Sequence, residues 1–227
     1  HTDIGHKRSE NQDSTGVAVL DGAVFAVVCD GMGGSNAGSE ASSRAVSVIT
    51  ERIQKSYRSD YDDNKIRNLL VAAVKTANAV IYDLASAVPE WRGMGTTCVA
   101  AIARGDMLHT VNVGDSRMYR CRGGCIRQLS TDQSLVQMLY EQGRITADEK
   151  KTHAQKNVIF PVLGNASEEP QPCITEIIGG VQRGDIIIIC SDGLSDYITQ
   201  GEFEEILALP MRLPRRIAKL AEAAIKN

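Results

Sequence analysis

The stretch Val24–Gly34, VFAVVCDGMGG, decides the fold: an apolar, β-branched run that stops at an aspartate followed by glycine. Short runs of this kind, bounded by turn residues, read as buried strands. A strand that ends in Asp-Gly sets a carboxylate at the sheet rim, and the glycine lets other backbone approach closely. The pattern recurs where His109–Val113 runs into Gly114-Asp115 and where Ile186–Cys190 runs into Ser191-Asp192-Gly193. One such ending is ordinary turn chemistry. Three predict carboxylates converging on something positive, and hard oxygen ligands favour Mg²⁺ or Mn²⁺ over zinc or copper.

Outward from Val24, the runs Thr15–Leu20 and Ala23–Cys29 flank Asp21-Gly22, a hairpin signal. A glycine-rich loop, Asp30–Ser39, leads into a helix over Ser39–Ile53 with Ala41, Ala45, Val48, Ile49 and Ile53 on one face. Polar Tyr57–Asn64 interrupts, and Lys65–Ala87 resumes the helical period with Ile66, Leu69, Leu70, Ala73, Ala77, Val80, Ile81 and Leu84. Strands follow at Thr96–Ala103, Met107–Val113, Arg117–Arg122 and Cys125–Gln128. Ser134–Gln142 reads as a short helix, Thr146-Ala147-Asp148-Glu149 as a capped helix start, and Lys151–Pro172 as irregular. Ile174–Ile178 and Asp185–Ser191 return to strand, and Thr199–Leu209 and Leu213–Ile225 to helix. Strands, two helices, strands, then helices is not the βαβα alternation of a parallel sheet. It predicts an α+β protein of antiparallel sheets covered by helices.

The 227 residues suffice for one large core, and a single domain over 1–227 is expected. With 43% apolar and 23% charged residues and a net charge of −3, the chain lacks the basic footprint of a nucleic-acid binder. No apolar run approaches the length of a bilayer span, so no membrane segment is expected, and no secretory signal opens the chain. His1-Thr2-Asp3-Ile4-Gly5 starts with neither methionine nor a targeting pattern, as a trimmed domain would. Of six cysteines, Cys29, Cys98 and Cys190 lie in strand-like runs as small hydrophobes. Cys121 and Cys125 flank the turn Arg122-Gly123-Gly124, where a cross-strand disulfide or half a zinc site is conceivable. No matching Cys/His pair lies elsewhere, so reduced thiols and a cytoplasmic location are expected.

The motif Asp3-x-Gly5-x-x-Arg8-x-x-Asn11-Gln12-Asp13 resembles the opening of metal-dependent serine/threonine phosphatases of the protein phosphatase 2C type. The resemblance continues through Asp30-Gly31-Met32-Gly33-Gly34, Gly95-Thr96-Thr97, Gly114-Asp115-Ser116-Arg117, Thr131-Asp132-Gln133-Ser134, Leu163-Gly164 and Ser191-Asp192-Gly193-Leu194. These motifs stand in the family's order, span nearly the whole chain, and are most similar to bacterial members.

The resemblance implies an α-β-β-α sandwich: two antiparallel sheets with helices on both outer faces and a two-metal centre at one end. Asp30 would bridge both Mn²⁺ or Mg²⁺ ions, Gly31 would offer its backbone carbonyl, and Asp192 would ligate the second ion. Asp115 resembles the residue that, with Asp192, holds a third and weaker ion. Two ions about 3.5–4 Å apart share a water and lower its pKa from about 15.7 toward neutrality. Hydroxide then attacks phosphorus directly, so no cysteine or serine nucleophile is needed. Arg8 would grip phosphate oxygens with its planar fork, and Asp13 would hold metal-bound waters. The bland readings are a turn aspartate for Asp30 or Asp192, a surface arginine for Arg8, and for Asp115 a carboxylate that pairs with Arg117 to brace the strand end.

Two departures bear on activity. Met32 stands where many eukaryotic relatives carry a histidine proposed as general acid, and a thioether donates no proton. The family also closes with an Asp-Asn motif opening a last strand, whereas this sequence ends at Asn227 before it. The resemblance likewise implies a strand before Thr2, expected to lie outside this sequence. Without the last aspartate, metal binding should weaken. The expectation is a fragment of a longer active protein, since every other motif is intact. The implied substrates are phosphoserine and phosphothreonine proteins, and the implied partner is a eukaryotic-like bacterial serine/threonine kinase. The segment Gln137–Leu163, with His153, is similar to the family's flap beside the site. The rival readings are a non-catalytic pseudophosphatase that binds without turnover, a sporulation- or stress-type phosphatase acting on an anti-sigma antagonist, and a hydrolase of small phosphoesters.

Overall fold

In a computed structural model describing residues 1–6, 8–34, 36–164, 172–174 and 180–226, β1 (Asp13–Leu20) and β2 (Ala23–Met32) form the expected antiparallel hairpin. Gly22 takes the left-handed turn at φ 71°. The register sets Asp13 opposite Asp30 and Leu20 opposite Ala23, so the open end of the hairpin carries two aspartates side by side. β2 pairs next with β4 (Cys98–Arg104), and β4 with β5 (Met107–Val113), while short β3 (Gly95–Thr96) joins the end of β2. A second antiparallel sheet places β6 (Arg117–Arg122) between β7 (Cys125–Gln128) and β8 (Ile186–Cys190).

The period of two along each strand sorts side chains into layers. Phe25, Val27 and Cys29 of β2 and Cys98, Ala100 and Ile102 of β4 face α1 (Ala37–Ser56) and α2 (Asp63–Ala87), meeting Ile49, Ile53, Ile66, Leu70 and Ile81. The alternate residues Val28, Val99 and Ala101 meet Met118 and Ile189 between the sheets. On the far face, Tyr119, Cys121, Ile188 and Cys190 pack on Phe203 of α6 (Gln200–Ala208) and Leu220 of α7 (Leu213–Lys226). The layer order is therefore α-β-β-α. It leaves the strand ends free to carry chemistry.

Several boundaries differ from the sequence reading. β2 runs past Asp30 to Met32 because β3 pairs with Gly31 and Met32. The strand predicted over Thr96–Ala103 divides at Thr97. α2 begins at Asp63, two residues early, because the Asp62 carboxylate accepts the Lys65 N–H at 2.8 Å. The predicted Ile174–Ile178 strand lies, beyond Ile174, outside the described residues; Cys173 just before it bridges to Asn112. The expectation that no apolar run reaches bilayer length is corrected at α2, which by length and composition alone could cross a membrane. Here its face of Ile66, Leu69, Leu70, Ala73, Val74, Ala77 and Ile81 is buried in the core. All six cysteines are free. Cys121 sits opposite Ile126 and Cys125 opposite Arg122, so the two thiols are not cross-strand partners.

Candidate metal centre

Asp30 is aimed by its backbone. Its carbonyl accepts the Thr97 N–H and the Thr96 hydroxyl, both at 2.8 Å, and its N–H donates to Thr97 Oγ1 at 2.9 Å. Thr97 Oγ1 in turn shares a 2.6 Å hydrogen bond with the Ser116 hydroxyl beside Asp115. Gly31 follows where the start of α1 presses on the strand. Its N–H donates to the Gln12 carbonyl at 3.0 Å, and a Cβ there would stand 1.9 Å from the Gly38 carbonyl oxygen. No other residue fits that approach.

The remaining carboxylates arrive from three other strand ends. Asp13, cross-strand from Asp30, donates its N–H to Asn11 Oδ1 at 3.0 Å and accepts the Ser191 hydroxyl on Oδ2 at 2.6 Å. Ser191 precedes the short helix α5 (Asp192–Ser195), which the sequence reading did not foresee and which fixes Asp192 at the end of β8. Asp115 follows Gly114, whose φ is 92° and whose N–H and carbonyl both bond Gln133, each at 2.9 Å. Arg8 is exposed and close enough to act on the Asp13 charge.

These carboxylates lack positive neighbours in proportion to their number. Burial pushes the Asp30 carboxyl up to about 9, helped by the charges of Asp13, Asp192 and Asp115. Burial raises Asp13 too, with Asp192 adding to it while the Ser191 hydrogen bond and Arg8 oppose it. Asp115 is raised to about 7 by burial, then by Asp192 and Asp132. Arg117 does not pair with Asp115 to brace the strand end, as one bland reading had it. Its fork is spent on buried Asp132, at 2.9 and 2.8 Å. Mutually repelling, half-buried carboxylates are a donor set for hard cations. Among the described residues no three His, Cys, Asp or Glu side chains close on one point as a ready-made cage.

Met32 lies at the same rim, opposite Gly95. His153 Nδ1 accepts the Gln155 N–H at 3.1 Å, a local turn contact. The residues that sequence reasoning left without a role are Thr97, Ser191 and Gln133, which hold Asp30, Asp13 and Gly114. Their only sequence signal is membership of the quoted motifs.

A family model described as Protein phosphatase 2C matches residues 4–222. The chain is 33% identical over 226 residues to the serine/threonine protein phosphatase PstP of Mycobacterium tuberculosis, which covers 100% of this chain and 41% of that protein. It thus spans less than half the length of that relative. The structure of the S. agalactiae serine/threonine phosphatase superposes with a TM-score of 0.92 at 30% identity, over 100% of this chain and 91% of the other. The catalytic domain of a PstP phosphatase in complex with 2 manganese ions matches with a TM-score of 0.82 at 30% identity, over 100% and 90%.

Proposed function

The chain belongs to the protein phosphatase 2C family, and from that premise we propose that it is a metal-dependent phosphatase of phosphoserine and phosphothreonine proteins. The observation that carries the reading is the gathering of Asp13, Asp30, Asp115 and Asp192, half-buried and close enough to act on one another, with too little positive charge to balance them. Divalent cations supply that balance, and a family relative holds manganese.

In this reading Asp30 and Asp192, with the Gly31 carbonyl, would hold two Mn²⁺ or Mg²⁺ ions, and Asp115 with Asp192 would hold a weaker third. When bound, the ions supply the charge that brings a water's pKa from about 15.7 toward about 7 and offsets the phosphoryl oxygens. The chain's own groups do the rest. Arg8, exposed at the rim, presents a planar fork to the phosphate oxygens. Asp13, fixed on one oxygen by Ser191 and hydrogen-bonded to the Asp30 side chain, would orient water beside the ions. Met32 donates no proton, so protonation of the leaving alcohol falls to solvent.

Residues 1–227 act here as one catalytic unit. Six unpaired thiols support a reducing, cytoplasmic location. A serine/threonine kinase of the eukaryotic-like bacterial type is the expected source of its substrates. The test is hydrolysis of a phosphothreonine peptide with and without Mn²⁺, beside Asp30→Ala and Asp192→Ala. Mn²⁺-dependent turnover lost in both variants supports the reading; no turnover at saturating metal overturns it.

A further inference from the structure

Residues 134–163 leave the fold beside one site loop and return beside another. At the start, Gln133 holds Gly114 next to Asp115. At the end, Leu163 and Thr96 exchange backbone hydrogen bonds of 2.8 and 3.0 Å, and Thr96 also clamps Asp30. Across the base, the Leu135 N–H donates to Val158 O at 2.9 Å and the Phe160 N–H to Gln133 O at 3.2 Å. Between these ties, α3 (Leu135–Glu141) buries only Val136, and α4 (Ala147–Thr152) buries nothing. So little apolar burial cannot by itself fix where the excursion sits.

Two lysines supply ties of another kind. Lys150 Nζ lies 3.5 Å from Asp132 Oδ2 and hydrogen-bonds Gln137 Oε1, joining α4 to α3 and to the body. Lys156 Nζ lies 3.5 Å from Asp196 Oδ2. Both acceptors share one guanidinium, because Arg117 grips Asp132 at 2.8 Å and stands 3.9 Å from Asp196. Asp196 closes α5, donating its N–H to the Asp192 carbonyl at 2.9 Å. An ion-pair chain thus runs Lys150, Asp132, Arg117, Asp196, Lys156. Its body half is built into the strand and helix that carry Asp115 and Asp192. Asp132 is nearly saturated, with Arg117 and Gln128 already on its oxygens. Asp196 has closer contact with Lys156 than with Arg117, so Lys156 is the tie that decides.

We propose that Lys156, seconded by Lys150, latches residues 134–163 beside the metal centre, and that the latched position sets affinity for phosphoprotein substrates. The kinetic half rests on the phosphatase reading. The latch itself does not. Both lysines are positioning residues, acting through Asp196 and Asp132.

The experiment is charge reversal and swap: Lys156→Glu, Asp196→Lys, and the two combined. Amide exchange is followed over residues 147–158, with kinetics on a phosphothreonine protein and on p-nitrophenyl phosphate. Each single reversal is expected to speed exchange about two- to fivefold and to raise KM for the phosphoprotein by a similar factor, the scale of a partly exposed ion pair. Turnover of p-nitrophenyl phosphate stays within about twofold, since the small ester does not need the excursion. The swap restores both readouts. Unchanged exchange in the single variants, or a swap worse than either, overturns the latch. Faster exchange with unchanged KM overturns its link to substrate. If the parent shows no Mn²⁺-dependent turnover, the phosphatase reading falls and exchange alone decides the latch.

Discussion

Thr97 and Thr146 each use a hydroxyl to hold backbone, in surroundings that differ in every other respect. Thr97 is fully buried between two site loops, accepting the Asp30 N–H and sharing a hydrogen bond with Ser116. Thr146 is exposed at the start of α4, accepting the Glu149 N–H at 3.2 Å while the Glu149 carboxylate accepts its own N–H at 2.7 Å. The first bond belongs to a sheet end whose strands have packed cores on both faces. The second belongs to a helix with no core at all. The carboxylate end of the molecule is therefore set once the chain folds, whereas the excursion is positioned locally, by caps and charges, and can open without global unfolding.

The contrast is tested most severely at Asp30. Asp30→Asn should lower phosphopeptide turnover by about a hundred- to a thousandfold in a Mn²⁺-dependent assay, the scale of losing one preorganised electrostatic group. The same substitution should raise the melting temperature of the metal-free protein, because Asn needs no proton to sit beside Asp13 and Asp192, whereas the native acid must take one up. A lower metal-free melting temperature in calorimetry would make the carboxylate structural instead.

The pH dependence follows from the same repulsion. Asp30 at about 9 and Asp115 at about 7 lie above the unfolded aspartate value, so the native state binds more protons than the unfolded one. Their contribution is fully present below about pH 4 and is lost as pH rises through about 7 to about 9. Melting in EDTA should therefore fall across pH 6 to about 9, and saturating Mn²⁺ should flatten or reverse the slope. A metal-free melting temperature that climbs over that range contradicts the arrangement.

The two threonines give the direct comparison. Thr97→Val leaves the Asp30 N–H without its partner, and should cost about 1–3 kcal/mol in global denaturant unfolding. Thr146→Val should cost about 1 kcal/mol locally, seen as faster amide exchange in α4 with the unfolding midpoint unmoved. A global loss at both sites would erase the distinction. The mildest effect belongs to Asp185, whose carboxylate meets Arg122 at 2.6 and 2.8 Å and is held down at about 2, chiefly by that hydrogen bond. This stabilisation is present above about pH 4 and is lost as pH falls toward 2. Asp185→Asn should cost no more than about 1 kcal/mol at neutral pH by denaturant titration, and should blunt the acid limb of the stability curve.

The sequence made the strand ends legible because Asp-Gly after an apolar run is a local signal, and the antiparallel layering because the order of elements is a coarse one. It did not reveal Ser191 on Asp13, a contact 178 residues apart along the chain. Nor did it assign Arg117 to Asp132, since Asp115 is the nearer carboxylate in sequence. The split at Thr97 was invisible to periodicity, because its cause is the Asp30 backbone on a neighbouring strand. The apolar content of α2 is similarly silent about its surroundings: the period marks a face, and only the packed sheet shows what covers it.

The two ends of the excursion meet on adjacent strands, for Cys98 after Thr97 lies opposite Val113 before Gly114. A segment that departs and returns through neighbouring doorways is, to the rest of the chain, an interchangeable handle. Doubling its length adds only about 0.6 kcal/mol of closure entropy, so its length is nearly free to vary. Grafting another sequence between Gln133 and Leu163 should transplant substrate preference while the hydrolytic end stays as it is.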